Sequence, residues 1–271
     1  MPDAIEAIDD GPAPPLPPWA ARLRVRALAE PLHPRAGLSA GGSHTPFGSI
    51  EPALAQRMAD AGLPVRRIDA GWEVDAPLDS ALDRIARWLS DTVPAQRWRG
   101  EQLPVLDDSG VLLGAIERSV VRTLGIATHA VHLVGATADG RVWAQQRALD
   151  KAVDPGRWDT LMGGLMAAGE TVATTLERET WEEAGLHLAQ LDRLAGFGRL
   201  TVRRPVADGY MVEHIHCFAA RLPDGIEPVN RDGEVLRFEA LDRRSLDARL
   251  RDDAFTIEAA LVLLKWAEVR R

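Results

Sequence analysis

A single cysteine, Cys217, in 271 residues rules out an intrachain disulfide and fits a reducing compartment. No apolar run approaches the ~20 residues of a membrane-spanning helix. The first residues, MPDAIEAIDDGPAPPLPPW, are acidic and Pro-rich, where a secretion signal needs basic residues and then an apolar stretch. A cytoplasmic protein without a membrane partner is expected. Excess positive charge is also missing. The formal net charge of −8 argues against a nucleic-acid surface built on bulk positive charge. An anionic substrate would need local arginine, lysine or metal. Tyrosine occurs once against eight tryptophans. Trp72, Trp88 and Trp266 fall in apolar patterns and read as core. Trp19 and Trp98 also read as core, with stacking on a substrate ring as the alternative.

What is present is an ordinary globular composition, 27% charged and 46% hydrophobic. The length suits two domains. Residues 1–18 read as a flexible Pro-rich lead. Residues 50–61 repeat apolar side chains every four positions (Ile50, Leu54, Met58) and predict a helix ended by Gly62. Residues 65–74 predict one strand. Residues 79–92 predict a helix capped by Asp79 or Ser80, burying Leu82, Ile85 and Leu89. Two short strands flank the turn Asp107-Asp108-Ser109-Gly110, and a short helix over 118–124 ends at Gly125. Strands are then expected over 128–136 and 142–146, joined at Asp139-Gly140. A helix over 171–184, strands over 210–222 and 235–240, and a C-terminal helix over 255–269 follow. Antiparallel strands mixed with helices point to an α+β fold. The domain boundary is placed near 125, giving 19–125 and 126–271. No internal repeat is visible.

The chemistry concentrates in one stretch. Gly164 is followed at spaced positions by Glu170, then Arg178-Glu179-Thr180-Trp181-Glu182-Glu183-Ala184-Gly185. On a helix Glu179, Glu182 and Glu183 stand at i, i+3 and i+4, so their carboxylates share a face and repel. A hard divalent cation relieves that repulsion, and an all-oxygen set suits Mg²⁺ or Mn²⁺. Mg²⁺ takes a few carboxylates and completes its shell with water and substrate phosphate oxygens. Arg178 can pair with Glu170 and hold the loop to the helix. Gly164 lets backbone approach the metal, and Gly185 permits the turn that ends the helix. Two glutamates on a helix would be a solvated acidic face. Seven coincident positions, each with a usage of roughly 7%, arise by chance at a given start on the order of 10⁻⁸.

This pattern resembles the Nudix box, G-x5-E-x7-R-E-U-x-E-E-x-G-U, with Thr180 where an aliphatic residue is usual. The resemblance implies the Nudix fold, a mixed sheet between helices, here with a smaller N-terminal α/β extension. It implies metal-assisted attack of water on a diphosphate, with Glu179, Glu182 and Glu183 and the Gly164 carbonyl as metal ligands. Upstream, Arg147 and Lys151 could grip a substrate diphosphate. Their run, R-x3-K-x3-P-G-x-W, is similar to isopentenyl-diphosphate isomerases. Those carry a catalytic cysteine and a metal-binding histidine around the first glycine of the box. Here Gly163 and Leu165 stand there, which disfavours isomerisation. A sensing module that kept the fold would tend to lose box carboxylates, and all are present.

Trp98-Arg99-Gly100-Glu101, Ile116-Glu117-Arg118, Leu124-Gly125-Ile126 and the run from Thr128 to Leu133 resemble the Nudix subgroup related to thiamine pyrophosphokinase fusions. The resemblance covers about residues 45–245. It implies hydrolysis of thiamine diphosphate, or of oxidised analogues, to the monophosphate. The expected partner is a small-molecule diphosphate; a homodimer is left open. Glu234, after a loop, is a candidate further acid, as ligand or base, with a rim carboxylate as the plain alternative. His129, His132, His214 and His216 read as substrate-facing or structural imidazoles rather than Zn²⁺ ligands. Cys217 reads as a small buried residue. Gly41-Gly42-Ser43-His44 is too short and plain for a phosphate loop.

Overall fold

The computed structural model describes residues 17–43, 45–93, 96–151 and 153–269. Most of the expected Pro-rich lead, residues 1–16, lies outside the described residues, as does His44. The chain begins with helix α1 (Pro18–Ala27), followed by β1 (Ala36–Ala40), β2 (Pro46–Ile50), α2 (Pro52–Asp60), β3 (Val65–Ile68), β4 (Gly71–Val74) and α3 (Leu78–Thr92). A hairpin of β5 (Gln102–Leu106) and β6 (Leu112–Glu117) comes next. Then follow β7 (Ala127–Ala136), β8 (Val142–Arg147), β9 (Trp158–Asp159), β10 (Met162–Leu165), α4 (Val172–Ala184), β11 (Asp192–Val206), β12 (Gly209–Arg221), β13 (Val235–Leu241), α5 (Arg243–Arg251) and α6 (Ile257–Val269). No described helix is long and apolar enough to cross a membrane.

Three sheets result, and the fold is α+β. The first has the order β2-β1-β4-β3, the second is the β5-β6 hairpin, and the third runs β11-β12-β7-β8-β13 with β10 on β7 and β9 on β8. Most neighbours in the large sheet are antiparallel; β7 and β12 are parallel, with Thr128 beside Glu213 and His129 beside His214. Side chains alternate across a strand. One face of this sheet therefore packs Ala130, Val134, Met211, Ile215 and Cys217 against Phe255 and, in α6, Val262. The other packs Val131 and Leu133 against Leu176 and Ala184 of α4. The N-terminal sheet buries Leu38, Ile50 and Trp72 against Leu82, Ile85 and Leu89 of α3.

Four expectations change in detail. Residues 65–74 form the hairpin β3-β4, because the chain reverses so that β4 can lie parallel to β1. A Cβ on Gly71 would meet the Gly37 carbonyl oxygen at 2.5 Å, so only glycine permits that approach. Asp79 does not cap α3. The helix starts at Leu78 without a side-chain cap, and Asp79 instead accepts from the Ala115 N–H at 3.1 Å, tying the helix to β6. Trp98 is 42% exposed beneath the Arg87 guanidinium rather than in the core. The Arg118–Leu124 stretch is a single 3₁₀ turn over Arg118–Val120 and then turns.

The two halves join closely. The Ala168 N–H donates to the Gln102 carbonyl and the Tyr210 N–H to the Arg122 carbonyl. Leu23 and Ala27 of α1 are buried in the same core as α6.

Candidate active site

Helix α4 is defined sharply at both ends. Thr171 caps it, and Thr171 and Thr174 exchange backbone and side-chain hydrogen bonds. Gly185 ends it at φ 64°, where a Cβ would meet the Val229 carbonyl oxygen at 2.6 Å. These ends place Glu179, Glu182 and Glu183 beside β10. Glu183 is buried and its Oε2 accepts from the Gly163 N–H (2.9 Å) and Gln145 Nε2 (2.8 Å). Thr180, the unusual residue of the box, is fully buried and returns its hydroxyl to the Leu176 carbonyl at 2.6 Å, so it satisfies its own polarity within the helix.

Arg178 organises the remaining carboxylates. Its Nε and Nη2 fork onto Glu170 at 2.6 and 2.8 Å. Nη1 reaches Glu179 at 2.7 Å and Glu182 at 2.9 Å, and Nη2 also reaches the Leu165 carbonyl at 3.1 Å. The fork holds Glu170 down at about 2. Burial pushes Glu179 up to about 7, partly opposed by Arg178. Burial likewise pushes Glu183 up to about 8, against the pull of the Gly163 N–H.

The donor set fits a hard divalent cation. It is oxygen only, and the backbone of Gly164 lies directly against it: a Cβ there would overlap the Glu179 carboxyl group. As the side chains stand, no trio of His, Cys, Asp or Glu among the described residues converges on one point. The Arg178 guanidinium lies between Glu179 and Glu182.

These residues open into a cavity of about 320 Å³. Its lining also includes Arg147, Lys151 and Glu234. Lys151 is ion-paired to Glu234, whose charge also raises Glu179. Arg147 is held by the Val153 carbonyl (3.1 and 3.3 Å) and by Asp159 (3.4 Å). All eight residues singled out from the sequence therefore line one cavity. Beneath Gly163 lies His132, fully enclosed, with its Nδ1 3.0 Å from Thr160 Oγ1; burial lowers its pKa.

Several lining residues were not singled out as site residues in the sequence. Glu101, Arg118 and Arg122 come from the N-terminal half, and Arg204, Glu213 and Glu258 from β11, β12 and α6. They are distant in sequence, and only strand pairing brings them together. Glu213 alternates with His214 along β12, so the two side chains take opposite faces, and that alternation was the one available signal. The histidines His129, His214 and His216 cluster on the other face of the sheet, with ring centroids 5.2 and 6.0 Å apart, and do not line the cavity. Glu117 accepts from the Arg99 and Gly100 N–H groups at 2.7 and 3.2 Å and is a structural anchor.

A family model described as NUDIX domain matches residues 127–261. The chain is similar to "Nudix hydrolase 24, chloroplastic" of Arabidopsis thaliana, 30% identical over 130 residues, covering 47% of this chain and 36% of that protein. It thus spans about a third of that relative's length. It is also similar to isopentenyl-diphosphate Delta-isomerase of Rhodobacter capsulatus, 33% identical over 120 residues, covering 42% of this chain and 66% of that protein. Among solved structures it resembles DR0079 from Deinococcus radiodurans, with a TM-score of 0.47 and 20% identity, covering 61% of this chain and 99% of that one.

Proposed function

Because residues 127–261 make this chain a member of the Nudix family, we propose that it hydrolyses a diphosphate linkage in a small organic diphosphate, with thiamine diphosphate or an oxidised analogue yielding the monophosphate as the specific reading. The observation that carries the reaction is the meeting of the α4 carboxylates, the Gly164 backbone and the cations Arg147 and Lys151 in one cavity.

Glu179, Glu182, Glu183 and the Gly164 carbonyl would hold Mg²⁺ or Mn²⁺, which when bound neutralises phosphate charge and lowers the pKa of water. Arg178 fixes Glu179 and Glu182 by hydrogen bonds while its fork anchors Glu170. Gln145 and the Gly163 N–H orient Glu183. Arg147 and Lys151 grip the phosphates, Arg147 already fixed by Asp159 and Lys151 poised by Glu234. Glu234 is the further acid of the cavity lining. Residues 19–125 supply Glu101, Arg118 and Arg122 to the cavity, which supports reading them as the part that selects the organic group. The enzyme is taken to act in the cytoplasm.

The similarity to an isopentenyl-diphosphate isomerase raises isomerisation as a second reading. Position 163 argues against it. A Cβ there would come within 2.7 Å of His132 Cε1, so a cysteine could not be placed without moving a buried ring.

The test is Glu182→Gln and Glu183→Gln. Each is expected to lower kcat by at least ~100-fold with Mg²⁺ while the protein stays folded, because each removes a charged ligand. Near-wild-type turnover in either variant would sink the assignment.

A further inference from the structure

The last carbonyls of a helix have no partners within it. At the end of α4 the Gly185 and Leu186 N–H groups return to the Trp181 and Thr180 carbonyls, at 2.9 and 3.2 Å. Two more carbonyls are taken by a loop from much further along the chain. The Val229 N–H donates to the Ala184 carbonyl at 2.8 Å and the Arg231 N–H to the Glu182 carbonyl at 3.1 Å.

A side chain fixes the same loop. Arg231 lies along Gly185, where a Cβ would stand 3.0 Å from its Nε. Its guanidinium sits over the Trp181 ring, 5.1 Å from the centroid. His187 stacks on that ring, with centroids 4.4 Å apart and planes 15° apart. Trp181 occupies the box position before the paired glutamates, where the pattern asks for no particular residue, and it is 41% exposed. Among the described residues Arg231 has no ion pair, so the indole face is its partner.

Past Arg231 the loop is braced on itself. Asn230 Nδ2 donates to the Val235 carbonyl at 2.6 Å, and Asn230 Oδ1 accepts from the Gly233 N–H at 3.0 Å. Asp232 accepts from the Glu234 N–H at 2.8 Å. The loop ends on Glu234, whose carbonyl accepts from the Ala148 N–H at 2.9 Å and whose carboxylate pairs with Lys151. Asp232 and Glu234 line the cavity, whereas Trp181 and Arg231 do not. A loop tied to itself moves as one piece, so its seat on α4 decides where Glu234 stands. We infer that Arg231 and Trp181 are positioning residues: their contact seats the 229–234 loop on the end of α4 and sets Glu234 against Lys151 and the box carboxylates. This rests on reading Glu234 as the further acid of a hydrolase.

The experiment joins amide hydrogen exchange, which needs no substrate, to kinetics, both on the full chain. Arg231→Ala and Trp181→Ala, checked for folding by thermal melting, are each expected to speed exchange of the amides at 229, 231 and 148 by about fivefold or more, the scale of a lost cation–π contact. Amides of the β5–β6 hairpin should not change. Trp181→Phe, which keeps an aromatic face, is expected to stay within about twofold of the parent. If Trp181→Ala does not fold, Arg231→Ala, at an exposed position, carries the test. With saturating Mg²⁺ and the diphosphate turned over fastest, both alanine variants are expected to lower kcat by about tenfold, as for a catalytic group moved from its place. In a Glu234→Gln background the same substitutions should change kcat by less than about twofold, because the group they position is already gone. Unchanged exchange at 229, 231 and 148, or an equal loss of kcat with and without Glu234, would overturn the inference. The two readings fail separately. If no diphosphate is hydrolysed, the hydrolase falls, and the exchange rates still support or overturn the seating of the loop.

Discussion

Gly164 and Glu179 compete for one volume: the glycine backbone lies where any Cβ would overlap the glutamate carboxyl group. The missing side chain is what brings a main-chain carbonyl and a helix carboxylate together. Gly164→Ala is therefore expected to displace Glu179 and lower kcat by about tenfold or more, the scale of a disturbed ligand shell. Steady-state kinetics at saturating Mg²⁺ checks this. An alanine variant with wild-type kcat would mean that the close approach is only packing.

The second expectation concerns pH. Glu179 and Glu183 are raised by burial to about 7 and about 8 in the folded protein, against an ordinary 4.5. Between about 4.5 and 8 the native state thus binds more protons than the unfolded chain. Their contribution favours folding below the unfolded value and is lost as pH rises through the folded values. Metal-free protein should melt at a lower temperature near pH 8 than near pH 5.5, as far as these groups govern it. Mg²⁺ binds the ionised carboxylates, so the rise in Tm that it produces should be larger at the higher pH. Melting curves in EDTA and in Mg²⁺ at both pH values measure this. A metal-induced rise that is greater at the lower pH would contradict it.

Arg147 and Lys151 are expected to act mainly in binding. Both charges face the cavity, and both are fixed by carboxylates before substrate arrives. Arg147→Ala and Lys151→Ala should raise KM more than they lower kcat, because the grip exists in ground and transition state alike. A loss confined to kcat would move them into the chemistry.

The box was readable because its geometry is local. Thr171, Gly185 and the i, i+3, i+4 glutamates lie within one helix, and their spacing alone sets which side chains share a face. The fold class and the later strands were also legible, since β7, β8, β12 and β13 carry clear apolar patterns. Strand β11 was not. It is an edge strand of 15 residues, largely exposed, rich in arginine and interrupted at Gly196–Gly198 by a register shift. Only Val202 in it is fully buried. Helix α5, Arg243–Arg251, escaped for a similar reason: Leu246 and Leu250 are its only buried residues among many charges. The rest of the cavity lining was illegible for a different reason. Arg118, Arg204, Glu213 and Glu258 are polar residues with no shared local pattern, and tertiary pairing alone assembles them.

The central claim is metal-dependent hydrolysis by the α4 carboxylates, and phosphate release from a panel of thiamine, nucleotide and sugar diphosphates, assayed with EDTA and then with added Mg²⁺, Mn²⁺ or Zn²⁺, tests it most directly. The expected result is no release in EDTA, recovery with Mg²⁺ or Mn²⁺ on at least one diphosphate, and poor recovery with Zn²⁺, because the site offers hard oxygen ligands alone. Full activity in metal-free buffer, or no activity on any diphosphate with any of these metals, would contradict the account.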